Sequence, residues 1–183
     1  MRRAALVLLL ILAGCGGSDD AKLGLRLSDF PSGWRQYGPD SKKVTCASIL
    51  DARRRAAEPQ QSPQFEHPDG FVVASTVYRY ADAQEAGAGF KALSSDTTGR
   101  CLAKSLGSAT TAPLSVSAAG DERSALRATL PATKDHPVAA YDFVVVRTGS
   151  GVAELIFAGV RKPFDARLRE QLTATLADRL KAP

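Results

Sequence analysis

The order of periodic segments in this chain predicts an α+β domain: a single antiparallel sheet of about five strands with helices packed on it. Three observations carry that prediction. Residues 71–80 are β-branched and aromatic almost throughout, as a strand requires. The second half holds strand-like runs separated by turn residues, ending in a pair at 141–147 and 152–160 around Gly149-Ser150-Gly151, a tight hairpin signal. The closing segment repeats Phe164, Leu168, Leu172, Leu176 and Leu180 every four residues, which makes one apolar stripe on a helix. No alternating series of strand and helix runs through the chain, so a doubly wound parallel sheet is excluded.

The elements follow in order from the N-terminus. Arg2 and Arg3 precede an apolar run over 4–13, and Leu12-Ala13-Gly14-Cys15 closes it. Charged, apolar and small-residue regions in that order form a secretory signal. With a cysteine at the cleavage point, the segment resembles a bacterial lipobox. The resemblance implies cleavage before Cys15, a thioether-linked diacylglycerol on Cys15, and acylation such as palmitate on the new N-terminus. A transmembrane anchor needs about 20 apolar residues, roughly twice what this run offers. An ordinary cleaved signal with an incidental cysteine is the other alternative. Residues 1–14 are therefore assigned to the signal peptide, and 15–22 to the lipidated Cys15 and a small, polar, flexible tether. Residues 23–183 form a single extracytoplasmic domain at the outer face of the cell membrane.

Leu23, Leu25 and Leu27 alternate with small or polar residues and predict an extended entering segment. Asp29-Phe30-Pro31-Ser32-Gly33-Trp34 then forces a turn whose two large rings anchor it. Thr45 caps a helix over 46–57. Residues 58–69 carry Pro59, Pro63 and Pro68 with no amphipathic period, and read as an exposed loop. The strand at 71–80 presents Phe71, Val73 and Val77 on one face and Val72, Tyr78 and Tyr80 on the other. Asp82 caps a helix over 83–94, with Ala86, Phe90 and Leu93 on one side. Gly87 and Gly89 weaken that helix but allow close approach to a sheet. A further helical stretch over 97–106 carries Cys101. A short strand at 114–118, a turn at Gly120-Asp121-Glu122, a strand at 125–130 and a loop at 133–137 lead into the hairpin. Pro163 and Asp165 introduce the last helix, with Arg167, Arg169, Glu170, Asp178 and Arg179 mostly off its stripe.

Composition narrows the function. The 183-residue chain carries 24 Lys and Arg against 19 Asp and Glu, a net charge of +5, of which Arg2 and Arg3 belong to the signal. Arg53-Arg54-Arg55 is the only basic run; without neighbouring aromatics it reads as a solvated helix face, and nucleic acid is not an expected partner. With Cys15 assigned to lipid, Cys46 and Cys101 remain in an oxidising compartment and are expected to pair. Closing that loop contributes about 4 kcal/mol in the chain-entropy model. Two free thiols or a redox pair is the alternative, without CxxC spacing or a neighbouring histidine to support it.

No catalytic constellation emerges. His67 and His136 each precede a proline in a polar loop, Gly149-Ser150-Gly151 is not a nucleophile elbow, and no phosphate-binding glycine loop is present. A metal shell built from both histidines with Glu66, Asp69 and Asp135 matches no known spacing. No catalytic residue, metal or cofactor is assigned. Trp34, Tyr37, Tyr78, Tyr80 and Tyr141 are amphipathic side chains that can line a ligand or partner cleft, and each also suits a core position.

Three pieces together carry a family resemblance: Asp29-Phe30-Pro31-Ser32-Gly33-Trp34 after the lipobox; the β-rich stretch from Val72 to Tyr80, an Ala-rich helix and Cys101; and Gly120-Asp121-Glu122 followed by strands, Phe143-Val144-Val145-Val146-Arg147-Thr148-Gly149, a further strand and a closing helix. They are similar to actinobacterial lipoproteins and to the PknH-like extracellular sensor domains of Ser/Thr kinases, which share a PsbP-like α+β fold. The resemblance covers most of residues 25–181. It implies a disulfide-braced extracytoplasmic domain that binds something and does no chemistry. The expected function is a membrane-anchored binding or accessory module for an envelope protein or lipid. The alternative is a small-ligand or lipid sensor or carrier with an apolar pocket.

Overall fold

A computed structural model describes residues 23–37, 46–107, 109–134 and 136–181. The signal segment, Cys15, the tether and the expected cap Thr45 lie outside the described residues. The chain forms β1 (Arg35–Tyr37), α1 (Ala47–Arg55), β2 (Glu58–Gln61), β3 (Gln64–His67), β4 (Phe71–Arg79), α2 (Ala83–Leu93), α3 (Asp96–Ser105), β5 (Thr110–Pro113), β6 (Glu122–Leu130), β7 (Ala139–Thr148), β8 (Gly151–Val160) and α4 (Ala166–Leu180). All eight strands join one antiparallel sheet in the order β1-β3-β4-β8-β7-β6-β5, with β2 pairing the far half of β4. The predicted α+β class holds; the sheet is wider than about five strands.

The extra strands come from segments that carry no alternating pattern. Residues 58–69 are not a loop: β2 and β3 occupy most of them. Their backbones pair with β4, and β3 pairs β1 as well; such short pairings need no apolar period, and Pro59 is tolerated because β2 pairs β4 alone among the described residues. The strand expected at 114–118 lies instead at 110–113, where its backbone pairs with 126–129 of β6. Leu23, Leu25 and Leu27 do not form an entering strand. Leu25 is buried, and Leu27 opens a single 3₁₀ turn, Leu27–Asp29, with its side chain exposed.

Helices cover both faces of the sheet. On one face Val73, Val77, Val144, Val146, Leu155 and Phe157 meet Leu172, Leu176 and Leu180 of α4. On the other, Tyr78, Tyr80, Phe143, Val145 and Val152 meet Ile49 of α1, Ala86, Phe90 and Leu93 of α2, and Leu102 of α3. Strand β4 thus splits its side chains as its alternation predicts, Val73 and Val77 one way and Tyr78 the other. Asp82 caps α2, its side chain accepting from the Glu85 amide at 2.8 Å, and Asp165 caps α4 by accepting from Leu168 at 2.8 Å. Of the two glycines in α2, Gly89 is the one that matters: a Cβ there would collide with the Tyr80 ring and hydroxyl, while one on Gly87 would meet open space. The β7–β8 hairpin closes in two residues, Gly149 and Ser150, with Gly149 at φ 57°.

The two expected cysteines form a disulfide. Cys46, at the N-terminal cap of α1, joins Cys101 in α3 with the Cα atoms 5.9 Å apart. The bond ties together two helices on the same face of the sheet. One stripe assignment on α4 changes: Arg169 is 4% exposed and points inward.

Candidate functional site

Asp142 stands on β7 under α4 and is buried. Arg127 of β6 grips it with Nε at 2.6 Å and Nη2 at 2.8 Å, and Arg169 of α4 adds Nη1 at 2.8 Å. The bond to Asp142 holds the Arg127 guanidinium above its ordinary pKa. Arg169 also lies 3.6 Å from Glu170, whose other oxygen accepts from the Ser117 amide. A fork from Arg127 and a single bond from Arg169 around one carboxylate are a structural arrangement; they pin α4 to the sheet.

The other face buries a second carboxyl. Glu154 of β8 is 8% exposed and accepts from the Tyr78 hydroxyl at 2.9 Å. Burial pushes the Glu154 carboxyl above its ordinary pKa, the Tyr78 bond and the charge of Arg53 opposing it. Burial likewise raises Tyr78, and pushes Tyr80 up to about 12. The Tyr80 hydroxyl reaches the Ala52 carbonyl of α1 at 3.2 Å. Arg53 therefore departs from the solvated basic face expected for 53–55: it is half-buried and its Nε is buried without a hydrogen bond, while Arg54 and Arg55 are exposed.

These placements separate the five aromatic candidates. Tyr78 and Tyr80 are core residues. Tyr141 is half-buried against the same core. Trp34 joins an aromatic cluster on the α4 face, 4.7 Å from Phe30, 5.5 Å from His67 and 6.0 Å from Phe164. Tyr37 stands on the edge strand β1 with 58% of its surface exposed. The structure does not bring them into one cleft. His67 is packed against Trp34 and accepts from the Asp69 amide at 3.3 Å, and His136 is exposed. Among the described residues, no three His, Cys, Asp or Glu side chains converge as a metal shell.

The surface carries a cleft of about 330 Å³ that no sequence pattern announced. It opens between the first turn of α3 and strands β5 and β6, lined by Ser94, Asp96, Arg100, Thr111 and Ser124 with Leu126 at its floor. Two things shape it. A Cβ on Gly99 would approach Leu126 to 2.9 Å, so the glycine lets α3 lie close over β6. The α3 terminus is fixed from behind: the Thr98 hydroxyl meets Ser48 of α1 at 2.5 Å and the Ala92 carbonyl at 2.6 Å. Hydroxyls, one carboxylate and one guanidinium make this a lining for a polar ligand or a polar protein surface. A second open cleft, about 210 Å³, lies beside Gly24 where the chain enters the fold.

No family model matches the chain, and no curated protein matches it. Among solved structures, the extracellular domain of PknH from Mycobacterium tuberculosis is similar, with a TM-score of 0.59 at 12% identity over 88% of this chain and 94% of that one. The likeness to PknH-like domains expected from the sequence is present at the level of the fold.

Proposed function

We propose that this protein is an extracytoplasmic lipoprotein, held through Cys15 at the outer face of the cell membrane, whose domain recognises a polar ligand or partner and performs no chemistry. The observation that carries the reading is the α3–β5–β6 cleft on a disulfide-braced fold like that of the extracellular domain of PknH. Both cores are filled by interdigitating side chains and the described clefts are open, which supports surface recognition over an enclosed apolar pocket.

The test uses living cells of the native host. A photo-crosslinking residue at Thr111, exposed on β5, is expected to capture a discrete adduct, and Ser124→Trp, which fills the cleft, is expected to abolish it. Absence of any Thr111 adduct, or an adduct indifferent to Ser124→Trp, refutes the cleft as the recognition site. Cys15→Ala is expected to move the protein from the membrane fraction to the soluble one; retention in the membrane refutes the lipid anchor.

A further inference from the structure

The chain enters the fold at a fixed place. The Gly24 carbonyl accepts from Arg179 of α4 at 2.6 Å, and the same guanidinium grips Asp29 at 2.6 and 2.8 Å. A Cβ on Gly24 would lie 3.2 Å from Ser62, between β2 and β3. The entry point is therefore clamped to the side of the sheet that ends in β1. From Cys15 to Gly24 the backbone spans at most about 30 Å. The opposite edge, β5, lies six strand spacings away from β1, about 29 Å.

The entry side differs from the rest of the surface. Leu27, Tyr37 and Val138 are the large apolar side chains left exposed among the described residues, and two of them are here. Leu27 lines the open cleft beside Gly24, which is also lined by Leu25 and Pro63. Tyr37 ends β1, which pairs with β3 alone among the described residues, and its side chain points to the sheet face opposite that of the cleft-lining Gln36. Arg26 stands at the same cleft. An aromatic ring with a polar tip and an exposed leucine suit the interfacial layer of a bilayer, where Tyr is favoured.

We infer that the β1 side of the sheet, around the Gly24 cleft, lies on the bilayer surface with Leu27 and Tyr37 in the interfacial layer. This rests on Cys15 being the lipid anchor. It gives the domain an orientation: the α3–β5–β6 cleft, at the far edge, faces away from the membrane and is open to what approaches from outside.

The test uses the full-length lipidated protein, reconstituted into vesicles of phosphatidylethanolamine and phosphatidylglycerol with brominated acyl chains. A fluorophore is attached at Gln36→Cys or at Thr111→Cys, both exposed positions. Quenching at position 36 is expected to exceed that at 111 several-fold. In the Leu27→Asp, Tyr37→Asp background the two are expected to become equal while the floating fraction and the melting temperature stay unchanged. Equal quenching at both positions in the floating wild-type chain shows a freely tumbling domain and overturns the inference with the anchor intact. A chain that neither floats nor carries acyl mass on Cys15 removes the anchor itself, and the orientation with it.

Discussion

The two faces of the sheet bury one carboxyl each, and they treat it in opposite ways. Under α4, Asp142 has one guanidinium fork, from Arg127, and a single bond from a second guanidinium, Arg169. Under α1 and α2, Glu154 has a phenol, with Arg53 near. A carboxylate taken out of water is tolerable when its charge is matched by aligned donors; otherwise the group favours its neutral form. Asp142 is thus an ionic fastener, joining β6, β7 and α4. Glu154 is a polar group held mostly by burial and one hydrogen bond. The α1–α3 face compensates differently, with the Cys46–Cys101 bond across its helices. One face is secured by charge and the other by a covalent bond, and each device can be removed separately.

The largest effect is expected at Asp142. Asp142→Asn keeps the shape but strips the charge, leaving Arg169, 5% exposed at its side chain, without its closest counter-ion. Breaking one partner of a buried pair costs about 3–5 kcal/mol. Urea unfolding should show that loss, and Arg127→Gln in the same background should add little, since the two share one carboxylate. Full additivity of the two would show that the three groups do not act as a unit. Cys46→Ala with Cys101→Ala comes next. Removing the bond between residues 55 apart in sequence is expected to cost about 2–4 kcal/mol, and hydrogen exchange should rise first in α1. Uniform loss of protection on both faces would contradict the division of labour.

The sequence made one of these devices visible and hid the other. A cysteine pair is countable. The apolar stripe of α4 and both halves of the β7–β8 hairpin were legible because their periods are long and uninterrupted. The charged pair was not, although its signal was present. Strands 139–148 and 151–160 are nearly continuous in apolar residues, which marks central strands covered on both faces. In such a strand Asp142 and Glu154 are buried whichever way they point, so each demands a partner. Arg169 was assigned to the solvent side because the leucine stripe is narrower than the face that α4 buries. The short strands β1, β2 and β3 escaped, and β5 was placed too late in the chain, for another reason: three or four residues of backbone pairing leave no periodic trace. The candidate cleft escaped with them, since β5 forms one wall and its lining, mostly small residues with Asp96 and Arg100 among them, is gathered from three elements and follows no motif.

Glu154 gives the smallest expected effect and the sharpest reading of sign. Its folded-state pKa is raised above the unfolded one. The folded chain therefore binds the proton more tightly, and its contribution to stability is complete below the ordinary carboxyl range and falls as pH rises through the raised value. Glu154→Gln retains an acceptor for the Tyr78 hydroxyl and removes the titration. Wild type and variant are expected to be equally stable near pH 4. Toward pH 8 the variant should become the more stable by about 1–3 kcal/mol, the cost of keeping a poorly matched buried group. Chemical unfolding at a series of pH values measures it. If the wild type instead gains on the variant as pH rises, Arg53 compensates the ionised carboxylate fully, and both faces of the sheet are then fastened by charge.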